Sequence, residues 1–196
     1  YDLLPEHLSK EVTWIDTSTL GRRGEEQSSD DGKNKWNDTE ARVVMELLRQ
    51  IIESEEFMTF LEEDLQPQEP PIGIICMYSK QRALIDRLKS EATWLGEARR
   101  LVKVDTVDSY QGKENRIIIL STVRNNPKGN PGFLWSPNRI NVAMSRAMER
   151  LYIVGATKMW KAKNASLPLG RVLTKVDAMV NGDRASLLPA DQFLGN

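Results

Sequence analysis

The sequence predicts an α/β domain with a central, mainly parallel β-sheet and helices on both faces, and three observations within Val102–Gly155 predict it. Ile117–Leu120 is an unbroken aliphatic run without polar alternation, the pattern of a strand covered on both faces of a parallel sheet. Leu151–Val154 repeats that pattern. Between them Pro137 can open a helix running through Asn141 and Ser145 to about Met148, since a first-turn proline lacks only an N–H that has no helical partner. Strand, helix and strand in this order imply a right-handed crossover, and function in open α/β sheets gathers at the carboxyl ends of strands.

In chain order, residues 1–11 read as a lead-in segment or linker, and Val12–Thr17 as the first strand. Gly21–Lys35, polar and with three glycines, reads as a mobile excursion. A helix then begins at Asn37, with Glu40 three residues on as in a capping box, and Val44, Leu47, Leu48, Ile51 and Ile52 recur at helical spacing. It continues through Glu53–Leu65, keeping Phe57, Phe60 and Leu61 for the core, until the prolines of Gln66–Pro71 forbid helix. Ile72–Met77 is the second strand. Lys80–Lys89 is a helix whose Leu84, Ile85 and Leu88 share one face. Val102–Val107 is the third strand, while Thr93–Arg100 has no clear assignment. Leu167–Val180 is weakly amphipathic, which ends the domain near residue 180 and leaves 181–196 as a loosely held tail.

Composition bounds the function. A chain of 196 residues, 40% hydrophobic, suits one domain with one good core. The net charge of −1 gives no global nucleic-acid signal, but Gln50–Ser79 holds seven acidic and no basic residues, so the remainder carries 27 basic against 21 acidic residues. Cys76 is the only cysteine and lies in an apolar run, which excludes an internal disulfide framework and fits a reducing compartment, cytoplasm or nucleus. No apolar run approaches the roughly 20 residues of a membrane span, and His7 alone makes no metal site.

Two polar segments carry the chemistry: Thr106–Glu114 (TVDSYQGKE) and Asn141–Ala147 (NVAMSRA). Together with the intervening S-T-V-R and G-F-L and the upstream M-Y-S-K-Q-R, the runs D-S-Y-Q-G-K-E and N-R-I-N-V-A-M-S-R-A resemble motifs IV, V and VI of superfamily 1 helicases. The asparagine before Val142-Ala143 and Gly132-Phe133-Leu134 favour the up-frameshift and senataxin-type branch. The resemblance covers roughly Val12–Trp160 and implies a RecA-like three-layer domain. A superfamily 1 motor also needs a P-loop, G-x-x-x-x-G-K-[ST], and a strand ending in an acidic pair. No glycine here fits that pattern. The resemblance therefore implies the second RecA-like domain of an ATP-dependent helicase, tracking 5′ to 3′, with the first domain and the Mg²⁺ ligands outside this chain.

Residue by residue, the resemblance makes Arg146 an arginine finger on the γ-phosphate of ATP and Arg82 a second such group, because a planar, permanently charged fork suits charge developing on phosphoryl oxygens. It puts the turn of Gln111, Gly112 and Glu114 beside the nucleotide. Thr106, Asp108, Ser109, Thr122 and Arg124 match positions that touch the backbone of single-stranded DNA or RNA, where short hydroxyls and one arginine position a strand without reading bases. Each has a plainer reading: a solvated helix arginine, a glycine for an unusual backbone conformation, turn-forming hydroxyls. Tyr78 and Tyr110 suit either stacking or the core, and Trp135 is expected exposed. The alternative from another class is a non-catalytic RecA-like adaptor that binds a protein partner through the acidic Glu53–Glu69 stretch.

Overall fold

A computed structural model describes residues 3–63, 70–110 and 112–195. The expected turn at Gln66–Pro71 lies largely outside them, as do the end of the acidic stretch and Gln111. The strands are β1 (Val12–Asp16), β2 (Gln27–Ser28) and β3 (Lys35–Trp36), followed by helices α1 (Asp38–Ile52) and α2 (Glu55–Glu63). Then come β4 (Ile72–Cys76), α3 (Ser79–Glu91), β5 (Val102–Thr106), β6 (Asn115–Ser121), α4 (Pro137–Met144), β7 (Ala147–Gly155), α5 (Pro168–Asn181) and β8 (Ala185–Pro189). Six strands form one sheet in the order β5-β4-β6-β7-β1-β8, and every pairing in it is parallel.

Alternating strand residues feed two cores, as the pleat requires. Ile72, Ile74, Ile117, Ile119, Tyr152 and Val154 point to one face, where α1, α2 and Ile85 of α3 cover them. Ile75, Ile118, Leu120, Ile153 and Trp14 point to the other, under α4 and α5. This double coverage explains why β4 and β6 read as unbroken apolar runs. Burying one large aliphatic side chain contributes about 1.5–3 kcal/mol, so these layers dominate the stabilisation of the sheet.

Several local expectations change. The long first helix breaks at Glu53–Ser54 into α1 and α2, and the Ser54 hydroxyl donates to the Leu3 carbonyl at the break. The lead-in is docked: Leu4 and Leu8 are buried, and Tyr152 Oη donates to the Leu8 carbonyl at 2.7 Å. Gly21–Lys35 is a structured excursion, with 3₁₀ turns over Thr17–Gly24 and a short antiparallel pairing of β2 with β3. Residues 93–101 form 3₁₀ turns kinked at Gly96 (φ 46°). The expected tail is not loose. Its Ala185–Pro189 pairs with β1 along the whole strand, and the following turn buries Ala190 and Phe193. Five strand residues that follow Gly182 closely and end in a proline, Pro189, are too short a signal to read as sheet from sequence.

Candidate functional site

The helix expected to reach Met148 stops at Met144, and β7 begins at Ala147, paired with Asn115. Arg146 therefore sits not on a helix surface but in the turn entering β7, at the amino edge of the sheet. Its Nε donates to the Val142 carbonyl at 3.1 Å, closing the end of α4. Its Nη1 donates to the Lys113 carbonyl at 3.2 Å and its Nη2 to Ser145 Oγ at 2.9 Å. The Lys113 contact brings Arg146 onto the turn before β6, where Gly112 (φ 74°) and Glu114 are exposed. Glycine is required there because a side chain would strain the left-handed backbone. Among the described residues Arg146 makes no ion pair, whereas Arg116, Arg124 and Arg139 each meet a carboxylate. A half-buried guanidinium held only by neutral oxygens keeps its full charge and spare N–H donors for an incoming anion.

The opposite, carboxyl edge holds most of the remaining candidates, but in different states. Thr106 ends β5; its hydroxyl meets Ser109 Oγ at 3.2 Å, and Ser109 and Asp108 are exposed on the turn that follows. Arg139 of α4 donates to Asp108 at 3.1 Å and lies 4.7 Å above the Phe133 ring. Thr122 and Arg124, expected on the same backbone track, are buried. Arg124 Nε donates to Glu26 Oε2 at 3.0 Å and its Nη1 to Tyr78 Oη at 3.0 Å; Glu26 also accepts from the Asn125 N–H at 2.7 Å. In this geometry Arg124 locks the excursion before β2 onto the loop after β6 and offers no open face to a strand. Gly132 belongs to the same lock, since a methyl there would strike the Arg124 guanidinium.

Arg82 lies in the first turn of α3, exposed, with Asp86 3.9 Å away. It stands at the carboxyl edge on the α1–α3 face, while Arg146 stands at the amino edge beyond α4. Asn115 to Ser121, the length of β6, separates the two levels by about 20 Å at about 3.3 Å per residue. The structure thus joins Arg146 with the Gly112–Glu114 turn at the amino edge and places Arg82 at the carboxyl edge, beside Asp86. Tyr78 and Tyr110 are buried in the core, and Trp135 is exposed.

Sequence reading missed a buried polar network that shapes the carboxyl edge. Asn37 caps α1 by accepting from the Glu40 N–H at 2.9 Å, but Glu40 does not reach back. Its carboxyl turns inward, accepting from Ser121 Oγ at 2.6 Å and the Val123 N–H at 2.8 Å. Gln81 closes the box instead, accepting from the Asn37 N–H at 2.8 Å and donating to its carbonyl at 3.1 Å. Glu40 grips an unusual turn. Val123 has φ 69°, rare for a β-branched residue, and the Arg124 N–H donates across it to the Thr122 carbonyl at 2.8 Å, a strained γ-turn. Burial pushes the Glu40 carboxyl up to about 8, against the opposing pull of its Ser121 and Val123 hydrogen bonds. The only sequence signal was Asn37 and Glu40 at cap spacing, which cannot tell a surface box from a buried brace.

An all-parallel sheet between two helical layers, with an uncompensated arginine at one edge and polar turns at the other, defines a RecA-like α/β domain. Compared with known families, residues 3–158 match the one described as AAA domain. The chain is 39% identical over 134 residues to NFX1-type zinc finger-containing protein 1 of Mus musculus, covering 68% of this chain and 6% of that protein. It is 40% identical over 104 residues to "Helicase required for RNAi-mediated heterochromatin assembly 1" of Schizosaccharomyces pombe, covering 53% and 10%. Identity is 34% over 137 residues to the Regulator of nonsense transcripts 1 homolog of Neurospora crassa, covering 69% and 12%. The chain belongs to the AAA domain family and is a RecA-like domain of the up-frameshift and senataxin-type branch of superfamily 1 helicases. It spans only 6% to 12% of these relatives.

Proposed function

We propose that the chain is the second motor domain of an ATP-dependent nucleic-acid helicase. In this reading ATP lies between its amino edge and a first RecA-like domain of the same polypeptide. The observation that carries it is Arg146, half-buried, held by the Lys113 and Val142 carbonyls and Ser145, and free of any described carboxylate. A phosphoryl group approaching that edge meets a positioned fork whose charge is unspent. The γ-phosphate contact belongs to Arg146, and the exposed Gly112–Glu114 turn lies beside it, where Gly112 leaves room for close approach and Glu114 offers an acceptor to a ribose hydroxyl. These residues fit one side of a nucleotide. The phosphate cradle and the Mg²⁺ ligands would come from the other domain, since the sequence lacks a P-loop.

Single-stranded DNA or RNA would follow the carboxyl edge over Thr106, Asp108 and Ser109, with Arg82 near one side. A lone carboxylate at Asp108 would repel phosphate, so its pair with Arg139 matters: it leaves that stretch neutral and the Ser109 hydroxyl free to donate. Thr122 and Arg124 support this edge from within. The relatives' printed names agree with the reading, one being called a helicase and another a regulator of nonsense transcripts.

The test is Arg146→Ala in a polypeptide carrying both motor domains. Strand-stimulated turnover should fall by about 10³–10⁵ while ATP affinity changes far less. Arg146→Lys should recover little, because an ammonium cannot present two parallel donors. Near-normal turnover in a variant that melts like the parent would overturn the assignment.

A further inference from the structure

We infer that Trp135 is a stacking platform for one base of the single strand; this rests on the reading that a strand follows the carboxyl edge. Two of the five tryptophans, Trp14 and Trp160, are core, but Trp135 is 61% exposed. That exposure is built in. Gly132–Trp135 is a 3₁₀ turn tied by Leu134 N–H to Pro131 O at 3.2 Å and by Ser136 N–H to Phe133 O at 3.1 Å. Leu134 is fully buried, so the next side chain along the tight turn faces outward.

The turn is joined to the proposed track by contacts that can be followed one by one. Phe133 packs against Tyr78 with ring centroids 4.2 Å apart, and Arg139 lies over Phe133 at 4.7 Å. Arg139 then reaches Asp108, whose neighbour Ser109 meets Thr106. Hydroxyls that suit phosphate thus lead to an exposed indole, the combination a sequence-independent single-strand site uses: backbone contacts and a flat ring that accepts any base. Trp135 is followed along the chain by Ser136, Pro137, Asn138 and Arg139, so polar groups and a cation come next in sequence.

The probes are an oligothymidylate and a phosphodiester chain of equal length without bases, titrated into the 196-residue chain across a salt series. The parent should prefer the strand with bases. Trp135→Ala should weaken thymidylate binding by roughly 5- to 150-fold, the worth of one stacked base, while leaving its salt slope and the baseless affinity unchanged. Trp135→Phe should restore most of the loss. Thr106→Ala with Ser109→Ala should weaken both probes alike. If Trp135→Ala binds thymidylate like the parent while the hydroxyl variants still weaken both probes, the platform is wrong and the track stands. Equal losses for both probes in Trp135→Ala would mark a structural role and also overturn it. No affinity of the parent for either probe at low salt would end both readings together.

Discussion

Replacing Glu40 with glutamine should flatten the dependence of stability on pH. The carboxyl is fully buried, and its ordinary 4.5 rises to about 8 in the fold. Between those values the native state keeps a proton that the unfolded chain releases, so stability must fall as pH rises. The contribution is fully present below about pH 4.5 and is gone above about pH 8. At about 1.4 kcal/mol per pH unit, this interval sets an upper bound on the order of 5 kcal/mol. Glutamine cannot ionise, yet its carbonyl oxygen can still accept from Ser121 and the Val123 N–H. Its amide would leave donors unpaired at a cost of about 1–3 kcal/mol, because the second Glu40 oxygen has no hydrogen-bond partner in the fold. Urea unfolding of parent and variant from pH 5 to 8.5 gives both curves. The parent should lose several kcal/mol more than Glu40→Gln across that range, whatever the offset between them. Parallel curves would refute the argument that a buried, proton-holding carboxyl braces the Val123 turn.

The 196-residue chain alone should show no strand-stimulated ATP hydrolysis, checked by phosphate release, because its sequence contains no P-loop. Glu26→Gln should destabilise the domain by about 3–5 kcal/mol by stranding the buried Arg124 charge, and Glu26→Leu combined with Arg124→Met should recover much of that; denaturant midpoints decide it. Ending the chain at Asn181 should cost several kcal/mol and expose the β1 edge to self-association, visible as a lowered melt and a larger species in light scattering.

The sheet was legible because strands buried on both faces write themselves as unbroken apolar runs, as at Ile72–Cys76 and Ile117–Leu120. β8 was not, since Ala185–Pro189 fully buries only Ala185, leaves Leu187 exposed and looks like tail until β1 lies beside it. The same limit applies to the site. Arg146 and the Gly112–Glu114 turn lie at one edge because β6 and β7 start side by side there. Arg82 follows β4, and the parallel register puts that turn at the other end of the sheet, which a motif alone does not show. Arg124 read as a free cation because its partner, Glu26, is 98 residues away in a stretch that looked unstructured. Sequence shows which groups carry charge but not which distant carboxylate has already met them.

β6 has a mechanical consequence. One strand, with neighbours on both sides and helices above and below, runs from the turn beside Arg146 to the turn gripped by Glu40. Close-packed interiors do not stretch, so the distance between those two ends is fixed within the domain. In the proposed motor, nucleotide contacts at one end would not shorten or lengthen the path to the other. They can only tilt the whole slab. The size of a step would then be set outside the slab, by the angle through which it swings against its companion, with β6 serving as the arm.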